Sequence, residues 1–262
     1  MSVEDKFDAI IVGAGPAGSA CAYTLAKAGK TVLVIERGDT PGSKNVTGGR
    51  LYTYALEMLE PGLWEEAALE RKVTHEQIML LSKDRSVNID YHNPAFHQKG
   101  QVPMSYTVLR ANFDEWLANK AEEAGAMVAC GIKVDRLIEQ DGEIVGVMAG
   151  ADEMYADVVI AADGVNSFMA QQAGLMGEIR AENVGVGVKE VIELPAAVIE
   201  QRFNLKNGEG AARMLLGCTE GIHGGGFLYT NQDSVSLGCV FTPQEAGHKK
   251  RSVHEIYCRP RP

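Results

Sequence analysis

The sequence is 262 residues long and 45% apolar, enough to bury a core as one large domain or as two smaller ones. Its formal net charge of −10 excludes general nucleic-acid binding and argues against docking on an anionic membrane surface. The five cysteines, Cys21, Cys130, Cys218, Cys239 and Cys258, are scattered without a Cys-x-x-Cys pair, so no zinc or iron–sulfur site is expected and a reducing compartment fits. No apolar run approaches the ~18 residues of a membrane span. The N-terminus lacks the basic stretch and apolar core of a signal peptide. A cytoplasmic protein is expected, at most peripheral at the inner face of the membrane.

Residues 5–36 read as strand, helix, strand. Phe7 to Val12 is apolar apart from Asp8, Ala17 to Ala28 is rich in helix formers, and Thr31 to Ile35 is a second buried-strand run that ends at Glu36. Gly29 sits where a helix C-terminal glycine belongs. Between strand and helix lies Gly13-Ala14-Gly15-Pro16-Ala17-Gly18, a Gly-x-Gly-x-x-Gly with the context it requires: strand before, helix after, acid about 20 residues on. Gly13 permits a tight turn, Gly15 lets the backbone approach a pyrophosphate, and Gly18 lets the helix pack closely on the strand. The helix N-terminus adds partial positive charge. The stretch therefore predicts a dinucleotide site.

Residues 37–52 form a polar loop rich in glycine, which suggests a backbone that closely approaches something. Tyr52 to Arg71 is predicted helical, broken at Pro61-Gly62. Val73 to Leu81 and Ser86 to Tyr91 read as strands joined at Lys83-Asp84, and residues 92–105 as irregular. Tyr106 to Arg110 enters a helix, Ala111 to Ala124, ended by Gly125, with Phe113, Trp116 and Leu117 on one face. Met127 to Cys130, Lys133 to Ile138 and Ile144 to Met148 read as strands, the last two joined by an Asp141-Gly142 hairpin turn. Ala156 to Ala162 is a buried strand ending in Asp163-Gly164 before a helix, as another strand of a parallel sheet would.

From about Glu182 the texture becomes β-rich. Val184 to Glu193, Arg213 to Leu216, Phe227 to Thr230 and Ser234 to Val240 are predicted strands, with turns at Asn207-Gly208, Gly221 and Gly224-Gly225-Gly226. The expected fold is α/β. A Rossmann-like domain with a parallel sheet spans 1–181, with an excursion at 73–105 into a second domain. That partial β-rich domain for substrate or partner spans 182–240, and an irregular basic tail spans 241–262. The histidines show no ligand spacing: His92 and His97 flank Asn93-Pro94 without forming a ligand set, and no metal is expected.

Three spaced features act together: the glycine fingerprint with Glu36-Arg37, the run Arg110-Ala111-Asn112-Phe113-Asp114-Glu115-Trp116-Leu117, and Ala162-Asp163-Gly164-Val165-Asn166-Ser167. A second acid–glycine strand end and an arginine at a helix start imply contacts along a longer, two-sided cofactor than NAD. Together the features resemble the FAD-dependent oxidoreductases of the p-hydroxybenzoate-hydroxylase-like type. The loop Gly42-Ser43-Lys44-Asn45-Val46-Thr47-Gly48-Gly49-Arg50-Leu51-Tyr52 resembles, more narrowly, the FixC branch of the electron-transfer-flavoprotein:quinone oxidoreductases. The likeness runs from residue 5 to about 240.

The resemblance implies FAD as cofactor. Gly13, Gly15, Ala17 and Gly18 would lie at its pyrophosphate, Glu36 at the adenosine ribose, and Arg37 at the adenine side. The backbone near Val134 would touch adenine. Arg110 would reach the phosphate–ribitol region as a fork-shaped donor, Asp163 and Gly164 would approach from the opposite side, and Gly48 and Gly49 would lie near the flavin ring. It implies electron transfer from an electron-transfer flavoprotein to a small ferredoxin-like protein or a quinone. The flavin supplies the redox chemistry, so no catalytic acid–base residue is expected. Two other readings stand beside it: a geranylgeranyl-reductase-like or hydroxylase-like flavoenzyme acting on an organic substrate, and a catalytically silent fragment. Members of the resembled family continue well past residue 262, so a C-terminally truncated member is expected.

Overall fold

The computed structural model describes residues 6–45, 49–94 and 102–257. The chain opens with β1 (Lys6–Val12), α1 (Pro16–Lys27) and β2 (Val32–Ile35). There follow β3 (Arg50–Tyr52), α2 (Tyr54–Leu59), β4 (Lys72–Leu81), β5 (Ser86–His92) and β6 (Ser105–Thr107). Next come α3 (Arg110–Glu123), β7 (Met127–Ala129), β8 (Arg136–Gln140), β9 (Glu143–Ala149), β10 (Asp152–Ala161) and α4 (Phe168–Gln172). The remainder is β11 (Val186–Glu193), α5 (Ala196–Phe203), β12 (Glu209–Leu216), β13 (Gly224–Thr230), β14 (Ser234–Phe241), α6 (Pro243–His248) and α7 (Val253–Tyr257). Two compact units result, one of Met1–Asn45 with Arg110–Glu178, the other of Val46–Leu109 with Ile179–Pro262.

The first unit holds a six-stranded sheet in the order β7-β2-β1-β10-β9-β8. β1 pairs in parallel with both β2 and β10, and β2 in parallel with β7. β10, β9 and β8 form an antiparallel meander, in which the β8–β9 turn places Asp141 at φ 53° and Gly142 at φ 84°. This is the primed turn that Asp-Gly favours. β1 is central and covered on both faces, so Ile10 and Ile11 are fully buried, which explains the apolar run Ala9 to Val12. Ile10 and Val12 join Leu33, Ile35, Val147, Ala156 and Met169 in one core. α1 lies beside α3 and buries Gly18, Ser19, Ala22, Tyr23 and Ala26, with Gly18 against Gly13 and Ile11 of the sheet. Because β1 lies between β2 and β10, the strand order reverses there. A parallel sheet of this kind opens its ligand crevice at the carboxyl ends of the strands at that point.

The second unit holds an eight-stranded sheet, β11-β14-β13-β12-β4-β6-β3, with β5 on β4. Its pairs are antiparallel except β12 with β4. Arg71, 4% exposed, ties this sheet to its flanking segments. Its Nε donates to Asn231 O at 2.6 Å, Nη2 to Gln232 O at 3.0 Å, and Nη1 to Glu200 Oε1 at 3.0 Å and Glu209 O at 3.2 Å. Five fixed donors make arginine the side chain able to meet so many carbonyls at once.

Several elements differ from the sequence reading. The segment grouped with the second unit is 46–109, longer than the 73–105 excursion. Of Tyr52 to Arg71, only α2 and a 3₁₀ turn at Leu63–Glu66 are helical, because Gly62 takes a left-handed φ of 82° after Pro61. α5 interrupts the β-rich region after Pro195 and buries Ile199 beside Leu205, Ala211 and Val235. The stretch expected as an irregular tail carries α6 and α7. Pro243 starts α6, and Ala246 packs on Ile222, Cys239 and Phe241. Among the described residues no helix is long and apolar enough to cross a membrane.

Asp8, the lone acid of β1, is explained by its neighbours. Its carboxylate accepts from Thr31 N (2.7 Å), Thr31 Oγ1 (2.8 Å) and Lys30 Nζ (3.2 Å), closing the entry to β2. The Thr31 N–H above all holds its pKa down to about 2 from 3.8. The stability it contributes is therefore whole above pH 3.8 and is lost as pH falls toward 2. Asp8→Asn should leave a chain whose melting temperature depends less steeply on pH across that window, measured by calorimetry.

Candidate cofactor site

The turn between β1 and α1 is gripped on both sides by backbone hydrogen bonds. Gly13 N donates to Ile35 O at 2.8 Å, and Ala162 N donates to Val12 O at 2.9 Å, so β2 and β10 grip the turn from both sides. Gly13 has φ 105°, and a Cβ there would lie 2.5 Å from Ala162 O. A Cβ on Gly18 would lie 1.9 Å from Gly13 O. Neither position can hold a side chain. Gly15 is different: its φ of −73° suits any residue, and a Cβ there meets nothing within 4 Å. Its smallness answers to no contact within the protein, as expected where a ligand is to come close.

α1 starts at Pro16 with Gly15 as N-cap, no side-chain cap and no acid in its first turn. The exposed Ala17 and buried Gly18 carry the first N–H groups, which have no intrahelical acceptor. Such an end attracts an anion. These features fit a pyrophosphate.

Glu36, at the end of β2, accepts Ala14 N (2.9 Å) on Oε2 and Gly38 N (2.7 Å) on Oε1. A carboxylate has about four lone-pair sites, so two remain for ribose hydroxyls after these backbone bonds. Ile132 N donates to Glu36 O at 3.0 Å and Gly131 N to Gly38 O at 2.8 Å, which lays the segment before Val134 beside Glu36. The Val134 side chain is 8% exposed and belongs to the core, leaving its backbone as the contacting group. Arg37 is exposed on the following loop. At the end of β10, Asp163 Oδ2 accepts Met169 N at 3.0 Å, and Gly164 stands exposed at φ 82°. The first unit thus gathers Gly13, Gly15, Ala17, Gly18, Glu36, Asp163 and Gly164 at the carboxyl ends of three neighbouring parallel strands.

Arg110 opens α3 and is held in a fork by Asp114, Nε to Oδ1 at 2.7 Å and Nη2 to Oδ2 at 2.8 Å. Asp114 is fully buried and also accepts Asn45 Nδ2. A Cβ on Gly42, at φ 79°, would lie 2.7 Å from Arg110 O and from Asp114 Cβ. The Gly42–Asn45 loop is therefore seated on the start of α3, with Asp114 as its anchor. Sequence reading quoted Asp114 but gave it no part. The Arg–Asp spacing of four on a helix was the signal that could have found it.

Gly49 belongs to the second unit, where a Cβ would lie 2.3 Å from the Tyr229 ring and where Gly49 O accepts Val108 N. A packing constraint there already requires glycine. Gly48 lies outside the described residues.

The family model described as FAD binding domain matches residues 6–204. Protein FixC of Salmonella typhi is 50% identical over 254 residues, 97% of this chain. The probable electron transfer flavoprotein-quinone oxidoreductase YdiS of Escherichia coli K12 is 47% identical over 256 residues. The chain spans 59% of the length of each. Among solved structures, a geranylgeranyl bacteriochlorophyll reductase-like protein from Thermoplasma acidophilum superimposes with a TM-score of 0.74 at 20% identity, over 96% of this chain and 60% of that one. At that identity the match speaks for the fold.

The two outer contacts of the turn separate in their effects. Gly15→Ala should leave thermal stability within about 0.5 kcal/mol and weaken FAD binding at least tenfold in a fluorescence titration. Gly18→Ala should cost about 2–3 kcal/mol of stability in urea unfolding, because the clash is with the protein's own backbone.

Proposed function

The chain belongs to the family of FAD binding domains, and we propose that it works as an electron-transfer oxidoreductase of the FixC type. In this reading FAD takes electrons from an electron-transfer flavoprotein and passes them to a small ferredoxin-like protein or to a quinone. The observation that carries it is the 50% identity to FixC across 97% of the chain. The oxidoreductase YdiS, at 47%, points the same way. FAD is the cofactor, and when bound it supplies the redox chemistry.

The protein's own residues bind and orient. Gly13, Gly15, Ala17 and Gly18 receive the pyrophosphate at the N-terminus of α1, and Glu36 accepts the adenosine ribose hydroxyls on its remaining lone pairs. Arg37 flanks adenine together with the backbone at Val134. Asp163 and Gly164 close the opposite side. Arg110, held in one orientation by Asp114, reaches toward the phosphate–ribitol region. The second unit serves as the substrate or partner domain, and the cytoplasm is the proposed compartment.

Anaerobic stopped-flow mixing with reduced electron-transfer flavoprotein tests this. Bleaching of this protein's flavin absorbance within the mixing experiment is expected, with little reduction by NADPH alone. Rapid reduction by NADPH with substrate-dependent oxygen uptake, and none by the flavoprotein, would instead identify a hydroxylase-like enzyme.

A further inference from the structure

The second unit contains a cluster that the sequence spacing hides. β4 and β5 pair so that His75 stands directly opposite His92, and their rings stack at 4.0 Å between centroids, 8° from parallel. Glu209, the first residue of β12, reaches the same point from the strand beside β4. His92 Nε2 lies 3.3 Å from Glu209 Oε1, and His75 Nε2 lies 3.9 Å from Glu209 Oε2. One ligand atom from each of the three falls within 4.8 Å of the others.

The surroundings of His75 fix its chemistry. The residue is 5% exposed, and its Nε2 makes no hydrogen bond among the described residues. Its Nδ1 faces both oxygens of Asp90 at 3.1 Å, so Nδ1 carries the proton and donates it. Asp90 is held in turn by Gln77 Nε2 at 2.9 Å, and Gln77 Oε1 accepts Arg213 Nε at 2.7 Å. A chain of four side chains thus aims one imidazole lone pair at a point shared with a second imidazole and a carboxylate. Two imidazole nitrogens and a carboxylate oxygen gathered within 4.8 Å of one another form a donor set that a cation can take.

We propose that His75, His92 and Glu209 bind a divalent transition-metal ion of the zinc class, with Asp90 orienting His75. Two imidazole nitrogens and one carboxylate oxygen are ligands such an ion takes, and a carboxylate on the far nitrogen is the usual outer partner of a metal-bound histidine. Tetrahedral binding at about 2.0–2.1 Å needs ligand atoms roughly 3.3 Å apart. The His92–Glu209 pair already meets this, the His75–Glu209 pair needs a small closure, and the exposed His92 ring must tilt out of its stack on His75 to share the ion, because parallel rings hold their lone pairs in separate planes. The ion would join β5, β4 and β12 across the sheet, and His92, the most exposed of the three, leaves a side for a water ligand. Its role is a structural clamp on the second unit. The proposal is independent of the FAD reading, whose site residues other than Gly48 and Gly49 lie in the other unit.

Zinc titration of the metal-stripped protein by calorimetry tests it, using His92→Asn and Glu209→Gln. Both changes avoid the buried His75, and Gln keeps an acceptor for the Lys206 N–H that Glu209 Oε2 now receives. Expected are one zinc per chain, a loss of at least tenfold in affinity in each variant, and a melting temperature raised by about 5 °C at a hundredfold excess over Kd. Cobalt should give visible d–d bands without a thiolate charge-transfer band, which sets this site apart from cysteine binding. No zinc uptake, equal affinity in both variants, or thiolate-type cobalt bands would overturn the proposal.

Discussion

Two backbone approaches, at Gly13 against Ala162 O and at Gly18 against Gly13 O, set the geometry on which the cofactor edge of the first unit depends. A methyl group at either would have to occupy space 2.5 Å or 1.9 Å from a carbonyl oxygen. With both positions bare, the turn closes tightly, α1 sits down on the sheet, and its N-terminal N–H groups face outward at the carboxyl end of β1. Glu36 then completes the edge, because its carboxylate is tied to the turn through Ala14 N and to its own loop through Gly38 N. The affinity of such a site comes from groups that need no reorganisation when the ligand arrives.

A different device holds the second unit. Its strands come from two stretches of chain far apart in sequence, and the parallel pairing of β4 with β12 joins them. Arg71, at the entry to β4, gathers carbonyls from Glu209, Asn231 and Gln232 and the carboxylate of Glu200 around one buried guanidinium. Replacing Arg71 with an apolar residue would leave these buried carbonyls and the Glu200 carboxylate without their donor. The β4–β12 pairing beside Arg71 and the β4–β5 hairpin together bring His75, His92 and Glu209 to one place.

What could be read from the sequence followed from local rules. The glycine fingerprint, the apolar run of β1, the Asp141-Gly142 turn and the strand ending in Asp163-Gly164 each carry their signal within a few residues, and the parallel pairing of β10 with β1 agrees with them. What could not be read depends on pairing at a distance. Arg71 contacts residues 129 to 161 positions away. His75 and His92 are 17 apart, a spacing without meaning until β4 and β5 form a hairpin, and Glu209 arrives from another part of the chain. The buried role of Asp114 was hidden for a milder reason: an acid four residues after an arginine on a helix is ordinarily a solvated pair, and here it is enclosed by the Gly42–Asn45 loop. The helices after Phe241 escaped notice because six- and five-residue helices leave almost no periodicity to detect.

The central claim is that the turn, α1 and Glu36 bind the adenosine diphosphate half of a flavin dinucleotide. Equilibrium titration of the chain with FAD, FMN and ADP, followed by flavin fluorescence and by competition, tests it most directly. The account predicts saturable binding of one FAD per chain, displacement by ADP, and far weaker binding of FMN, which has no adenosine to meet Glu36. Equal affinity for FMN and FAD, or FAD binding that ADP does not displace, would contradict it.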